Sequence, residues 1–114
     1  VLLRDGRAVE LDAPVGTPLG LGLSDGAPAG LTVPLKPGDR LFLASDGVWE
    51  ARDAAGAFYP LLDRLVAFSA DGPDGPVPLP VLAERVWTDL VRYAPELDDD
   101  VTMLVLAPGP ADPR

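Results

Sequence analysis

The residues best equipped for chemistry in this sequence are carboxylates at the ends of two apolar runs. Asp46 follows Leu41-Phe42-Leu43-Ala44-Ser45, and Asp98-Asp99-Asp100 precedes Val101 to Ala107. If the two runs are strands paired antiparallel, the end of one lies beside the start of the other, and Asp46 becomes a neighbour of the aspartate run. Two carboxylates about 5 Å apart repel by roughly 3 kcal/mol at an effective dielectric near 20, so such a pair must protonate, meet an Arg or bind a cation. With oxygen donors alone, the cation is a hard one: Mg²⁺, Mn²⁺ or Ca²⁺. Gly47 suits this picture because it lets the backbone turn sharply beside a ligand. The spacing leaves a plainer reading open, since aspartate runs are more often solvated loop faces and Asp-Gly is more often an ordinary turn. The run lacks the alternating acidic positions and central Gly of a calcium-binding helix-loop-helix, which excludes that motif.

Composition narrows the chemistry further. The 114 residues contain no His and no Cys, which removes Ser-His-Asp catalysis, histidine acid/base work, thiolate zinc and disulfides. What remains is carboxylates, hydroxyls, Arg, backbone amides and oxygen-bound metal. Nine basic residues against 18 acidic ones leave a net charge of −9, which repels a phosphate backbone and argues against a nucleic-acid partner. Eight of the nine basic residues are Arg, and Ala, Gly and Pro are abundant, as in proteins of GC-rich bacterial genomes. No apolar run approaches the roughly 20 residues that span a bilayer, and no leader-like series opens the chain, so a soluble, cytoplasmic protein without membrane contact is expected. The opening Val1-Leu2-Leu3-Arg4 reads as the interior of a larger protein.

The elements that must position these carboxylates can be read in order. Val1 to Leu3 and Ala8 to Leu11 flank Asp5-Gly6, a hairpin signal because both turn residues tolerate positive φ. Residues 13 to 22 are broken by Pro and Gly into an irregular crossing, with a short strand expected at Leu19 to Leu23. Leu31 to Leu35 reads as an edge strand, and Lys36-Pro37-Gly38-Asp39 as a type II turn leading into a strand at Arg40 to Ser45, so a second hairpin is expected. That last strand, apolar on successive positions, is expected to be buried on both faces. Apolar residues at 61, 62, 65, 66 and 68 predict a helix over Tyr59 to Phe68 with Pro60 in its first turn. Residues 69 to 80 form a flexible surface loop. A second helix over about Leu79 to Ala94 follows, with Leu82, Val86 and Leu90 inward, supported by Val91, and stopped by Pro95. A final strand is expected at Val101 to Ala107, then a flexible tail from Pro108 to Arg114. Strands, helices and a closing strand in this order predict an α+β fold, an antiparallel sheet or sandwich with two packed helices. Trp49, Trp87, Phe42, Phe58 and Phe68 are expected in or near the core.

Two segments carry a resemblance. Leu35-Lys36-Pro37-Gly38-Asp39-Arg40-Leu41-Phe42-Leu43-Ala44-Ser45-Asp46-Gly47-Val48-Trp49-Glu50-Ala51 resembles the signature of the PPM-type, or type 2C, metal-dependent protein phosphatases. Asp99-Asp100-Val101-Thr102-Met103-Leu104-Val105-Leu106 is similar to the same family's last metal-ligand motif. Gly16-Thr17-Pro18-Leu19-Gly20, and Glu50-Ala51-Arg52 with Phe58, further resemble its bacterial SpoIIE-like branch. The likeness spans nearly all of residues 1 to 107. It implies a binuclear Mn²⁺ or Mg²⁺ centre that activates water against a phosphoserine or phosphothreonine, with Asp46 and Asp99 each ligating one metal. Asp100 would be a supplementary ligand or a supporting neighbour, because the family's motif places the ligand three residues before Thr102.

The resemblance also shows a departure. The family's earlier aspartate, which bridges both metals, has no counterpart here, since Asp5-Gly6 and Asp25-Gly26 stand in the wrong positions and surroundings. Residues 1–107 are therefore expected to be the C-terminal part of a single phosphatase domain, inactive alone, with sensory or regulatory domains upstream in the parent. The substrate implied for the SpoIIE-like branch is a phosphorylated anti-anti-sigma factor. The competing expectation is a phosphatase-like regulatory module that binds a protein partner without turnover. Arg52 follows the first motif and could meet substrate phosphate, although a loop Arg is more often a surface cation.

Overall fold

Asp5 and Gly6 turn the chain with φ of 52° and 73°, and the strands either side pair as the Asp-Gly signal requires. In this computed structural model, which describes residues 1–12 and 30–109, β1 (Leu2–Arg4) and β2 (Arg7–Val9) form that hairpin. β3 (Arg40–Ala44) leads into a short helix α1 (Asp46–Trp49), followed by α2 (Leu61–Ser69), α3 (Leu79–Tyr93) and β4 (Met103–Leu106). The strands make one antiparallel sheet in the order β2-β1-β3-β4. The α+β arrangement expected from the sequence is the one found. No helix among the described residues is long and apolar enough to cross a membrane.

The core forms where the helical stripes meet one face of the sheet. Leu61 and Leu65 of α2 and Leu82, Val86 and Leu90 of α3 are all at most 1% exposed, and they pack with Phe42 and Leu3. Full burial of a Leu or Phe side chain is worth about 1.5–3 kcal/mol, so these residues supply much of what holds helices to sheet. The α2 and α3 helices also pack on each other, α2 reaching β2 and α3 reaching β4.

Several expectations are corrected. Leu31 to Leu35 is not a strand, because β1 takes one edge of β3 and β4 takes the other, leaving no place for a second hairpin. The turn before β3 does form, with the Asp39 amide donating to the Lys36 carbonyl at 3.0 Å. β3 is not buried on both faces among the described residues: Phe42 is covered, while Leu43 is 45% exposed and its cross-strand partner Leu104 53% exposed. Among the described residues, helices cover the face shared by Phe42 and Val105.

On α3, Val91 and Trp87 lie outward, and Phe58 is also exposed. Each turned up beside a buried neighbour instead of on the buried stripe itself, as Trp87 follows Val86 by about 100° of helix. Phe42 is buried as expected, with Trp49 and Phe68 partly buried against the core. The first long helix starts at Leu61, with Pro60 just outside it, because the Tyr59 amide is held by the Ala51 carbonyl at 2.8 Å. Within residues 69 to 80, Gly72 and Gly75 exchange two hydrogen bonds of 3.0 and 3.1 Å around an exposed turn. The strand expected at Leu19 to Leu23, the Gly16 to Gly20 stretch, Asp25-Gly26 and the tail beyond Gly109 lie outside the described residues.

Candidate functional site

The pairing of β3 with β4 decides what lies beside Asp46. Ala44 opposes Met103 and Leu43 opposes Leu104, so the last residue of β3 meets the first of β4. The ladder runs one step further through the Ser45 amide, which donates to the Thr102 carbonyl at 2.9 Å. The Ser45 hydroxyl then closes the corner: it accepts from the Thr102 amide at 2.9 Å and donates to the Asp100 carbonyl at 3.1 Å. Ser45 stands at the N-cap of α1 but makes no side-chain cap there, because its oxygen is spent on the 100–102 segment.

Asp46 opens α1 instead of ending a loop turn, and Gly47 has a different reason from the one its Asp-Gly context suggests. It is buried inside the helix, with no positive φ. A Cβ there would lie 2.3 Å from the Asp100 carbonyl oxygen and 3.2 Å from that of Asp99. Only glycine lets α1 approach the aspartate segment this closely.

The result is a cavity of about 170 Å³ lined by Asp46, Glu50, Arg52, Glu96, Asp98 and Asp99. Asp46 and Asp99, far apart in sequence, thus share one wall-to-wall space. The Asp99 carboxylate accepts from the Asp100 amide at 2.8 Å through Oδ1, while its other oxygen has no protein partner among the described residues. Asp100 contributes its backbone carbonyl to the corner, and its side chain does not line the cavity. Glu50 and Glu96 were not singled out as site residues in the sequence. Glu50 was legible in principle, four residues after Asp46 at the C-cap of the same short helix, whereas nothing local to Glu96 signalled its position.

Asp5-Gly6 sits at the far end of the sheet. It lines a separate cavity of about 430 Å³ with Asp39 and Arg40, at the start of β3, whereas Asp46 follows the end of β3. It therefore cannot reach the Asp46 cavity. Asp39 itself is buried and structural: hydrogen bonds first from the Arg4 guanidinium and then from the Lys36 amide hold its carboxyl down at about 2.

The family model described as Stage II sporulation protein E (SpoIIE) matches residues 1–108. The chain belongs to the SpoIIE family. Neither a curated protein nor a solved structure matches it. The SpoIIE family is a PPM-type phosphatase family, and its members generally use Mn²⁺ or Mg²⁺.

The donor set around the SpoIIE-family cavity suits such an ion in kind, since every donor is an oxygen. In number it is incomplete. Among the described residues no group of three or more acidic side chains is close enough together to hold a metal ion. Asp46, at the start of α1, and Asp99, in the segment before β4, are two of the carboxylates lining this cavity.

Proposed function

We propose that this chain supplies Asp46 and Asp99 to the binuclear Mn²⁺ or Mg²⁺ centre of a protein serine/threonine phosphatase, each carboxylate ligating one ion. The observation that carries the reading is the shared cavity of Asp46 and Asp99, built by the β3–β4 register and the glycine contact at Asp100. The metal ions, when bound, lower the pKa of water and neutralise charge on phosphoryl oxygens. The chain's own part is positional. Ser45 pins the 100–102 segment to the start of α1, so the two carboxylates are presented from a fixed corner instead of from free loops.

The family's metal-bridging aspartate has no counterpart in the motifs of this sequence, so on this reading the remaining ligands come from elsewhere in the parent polypeptide and residues 1–114 alone are inactive. The substrate is a phosphoserine or phosphothreonine protein of the anti-anti-sigma type, and upstream sensory or regulatory domains control access to it. The net charge of −9 supports a protein or small phosphate substrate over nucleic acid.

In the full polypeptide with Mn²⁺, Asp46→Asn and Asp99→Asn are each expected to lower phosphate release from a phosphoserine protein by about 100-fold or more and to weaken Mn²⁺ binding. Wild-type turnover and Mn²⁺ affinity in both variants would remove the reading. Intact binding of a phosphoprotein without any turnover by the wild type would instead identify a non-catalytic binding module.

A further inference from the structure

One side chain in the Asp46 cavity is of the wrong charge for a metal site. Arg52 lines it beside Asp46, Glu50, Glu96, Asp98 and Asp99, yet among the described residues it makes no ion pair with any of them. A cation present only to offset neighbouring carboxylates would close on one of them, since the charge-assisted contact is favourable and the arm is long enough to choose. Arg52 is instead laid over the ring of Phe58, its guanidinium carbon 4.7 Å from the ring centroid. A ring face holds the flat guanidinium by cation–π attraction and leaves its edge donors free.

The platform is rigid for its size. Arg52 and Phe58 face each other across an antiparallel bridge, and the Asp53 amide donates to the Ala57 carbonyl at 3.0 Å. The Asp53 carboxylate accepts from the amides of Ala55 and Ala57, both at 2.9 Å, which fills the inside of the turn. The Tyr93 hydroxyl, reaching from α3, donates to the Phe58 carbonyl at 2.9 Å and also lies 3.1 Å from that of Ala57. The residues flanking the bridge are joined by the Tyr59 amide donating to the Ala51 carbonyl, and both belong to the buried core. A guanidinium held on a small turn, lining an acidic cavity and paired with no carboxylate among the described residues, is arranged to receive an anion from outside.

We propose that Arg52 binds the phosphoryl oxygens of the substrate, with Phe58 as its support. The proposal rests on the phosphatase reading of the Asp46 and Asp99 site and adds to it a substrate contact on this chain. It also answers an electrostatic difficulty. A phosphate dianion approaching five carboxylates is repelled, and a fixed bidentate donor beside the metals offsets part of that repulsion while setting the orientation of the phosphoryl group. Lysine would supply the charge without the fork.

The test uses the full polypeptide loaded with Mn²⁺ and inorganic phosphate as the probe, titrated calorimetrically. Arg52→Ala is expected to weaken phosphate binding by about 10-fold or more, with Arg52→Lys intermediate. Phe58→Leu, which keeps the cation and removes its platform, is expected to weaken it by about 2- to 5-fold. Mn²⁺ affinity should stay within about twofold of wild type in all three, since among the described residues Arg52 has no ion pair to lose. With a phosphoprotein substrate, Arg52→Ala should raise KM at least as much as it lowers kcat. A charge-balancing role predicts the opposite pattern, tighter Mn²⁺ and unchanged phosphate binding in Arg52→Ala, and that result overturns the proposal. Unchanged phosphate binding in Arg52→Lys as well as Arg52→Ala overturns it too, while weakened Mn²⁺ binding in Asp46→Asn and Asp99→Asn leaves the metal site standing. Wild-type Mn²⁺ binding in the two Asp variants overturns both readings together.

Discussion

At Gly47 a single missing methyl group decides the geometry of the site. The 2.3 Å distance from a would-be Cβ to the Asp100 carbonyl oxygen is far inside contact, and the obstacle is backbone, which cannot swing aside as a side chain can. Gly47→Ala must therefore push α1 away from the 99–100 segment. We expect it to cost about 1–3 kcal/mol in chemical denaturation and to weaken Mn²⁺ binding by separating Asp46 from Asp99. Wild-type stability with wild-type Mn²⁺ affinity would show that the approach is not needed. The sequence announced the glycine but not its purpose. An Asp-Gly pair reads locally as a turn, and only the strand pairing brings a carbonyl from the other end of the chain to within touching distance. Arg52 is a similar case: its type was visible, but its place in the cavity and its stacking on Phe58 were not.

Between elements, the join of β1 to the turn before β3 rests on a charged pair. The Arg4 guanidinium donates to both oxygens of Asp39 and to the Pro34 carbonyl, and the Lys36 amide donates to Asp39 at 2.7 Å. These bonds favour the carboxylate and hold its pKa at about 2, below its ordinary value of 3.8. The folded state therefore gives up the Asp39 proton more readily than the unfolded state, and the unfolded state binds more protons between those two values. The contribution is complete above about pH 4 and is lost as pH falls through about 2. Asp39→Asn is expected to flatten the acid limb of stability between pH 4 and 2, measured by urea midpoints. A limb as steep as that of wild type would assign the acid sensitivity elsewhere. The same join bears on residues 31 to 35, which form no strand: Pro34 is tethered to Arg4, and both edges of β3 are already occupied. The helices were more legible. Leu82, Val86 and Leu90 recur at a spacing only a helix puts on one face, and all three are buried.

Across the whole molecule, one apolar cluster joins the inner face of the sheet to α2 and α3. Leu82, which is 0% exposed, stands within that cluster. Leu82→Ala should cost about 2–5 kcal/mol through lost burial and the cavity left behind. Trp87→Ala, at a position 44% exposed, should cost less than about 1 kcal/mol. Equal losses in chemical denaturation would contradict the burial pattern. The contrast also marks where composition misleads, since tryptophan is the larger and more apolar side chain of the two, and its angular position on α3 outweighs its size.

What the sequence determined by itself was local or periodic: the Asp-Gly hairpin, the two amphipathic helices, the short apolar strands, the exclusion of His and Cys chemistry, and motifs distinctive enough to point to the SpoIIE family before any fold was drawn. The antiparallel adjacency of Asp46 and the aspartate run was legible as a condition, because acidic residues at the end of one strand and the start of another meet only in that pairing. Tertiary structure alone decided that β1 fills the second edge of β3, that helices cover one face of the sheet among the described residues, and that Glu50, Glu96 and Arg52 join the cavity. Turn chemistry and side-chain period act over a few residues, whereas edge occupancy and close backbone approach depend on which distant segments compete for the same surface.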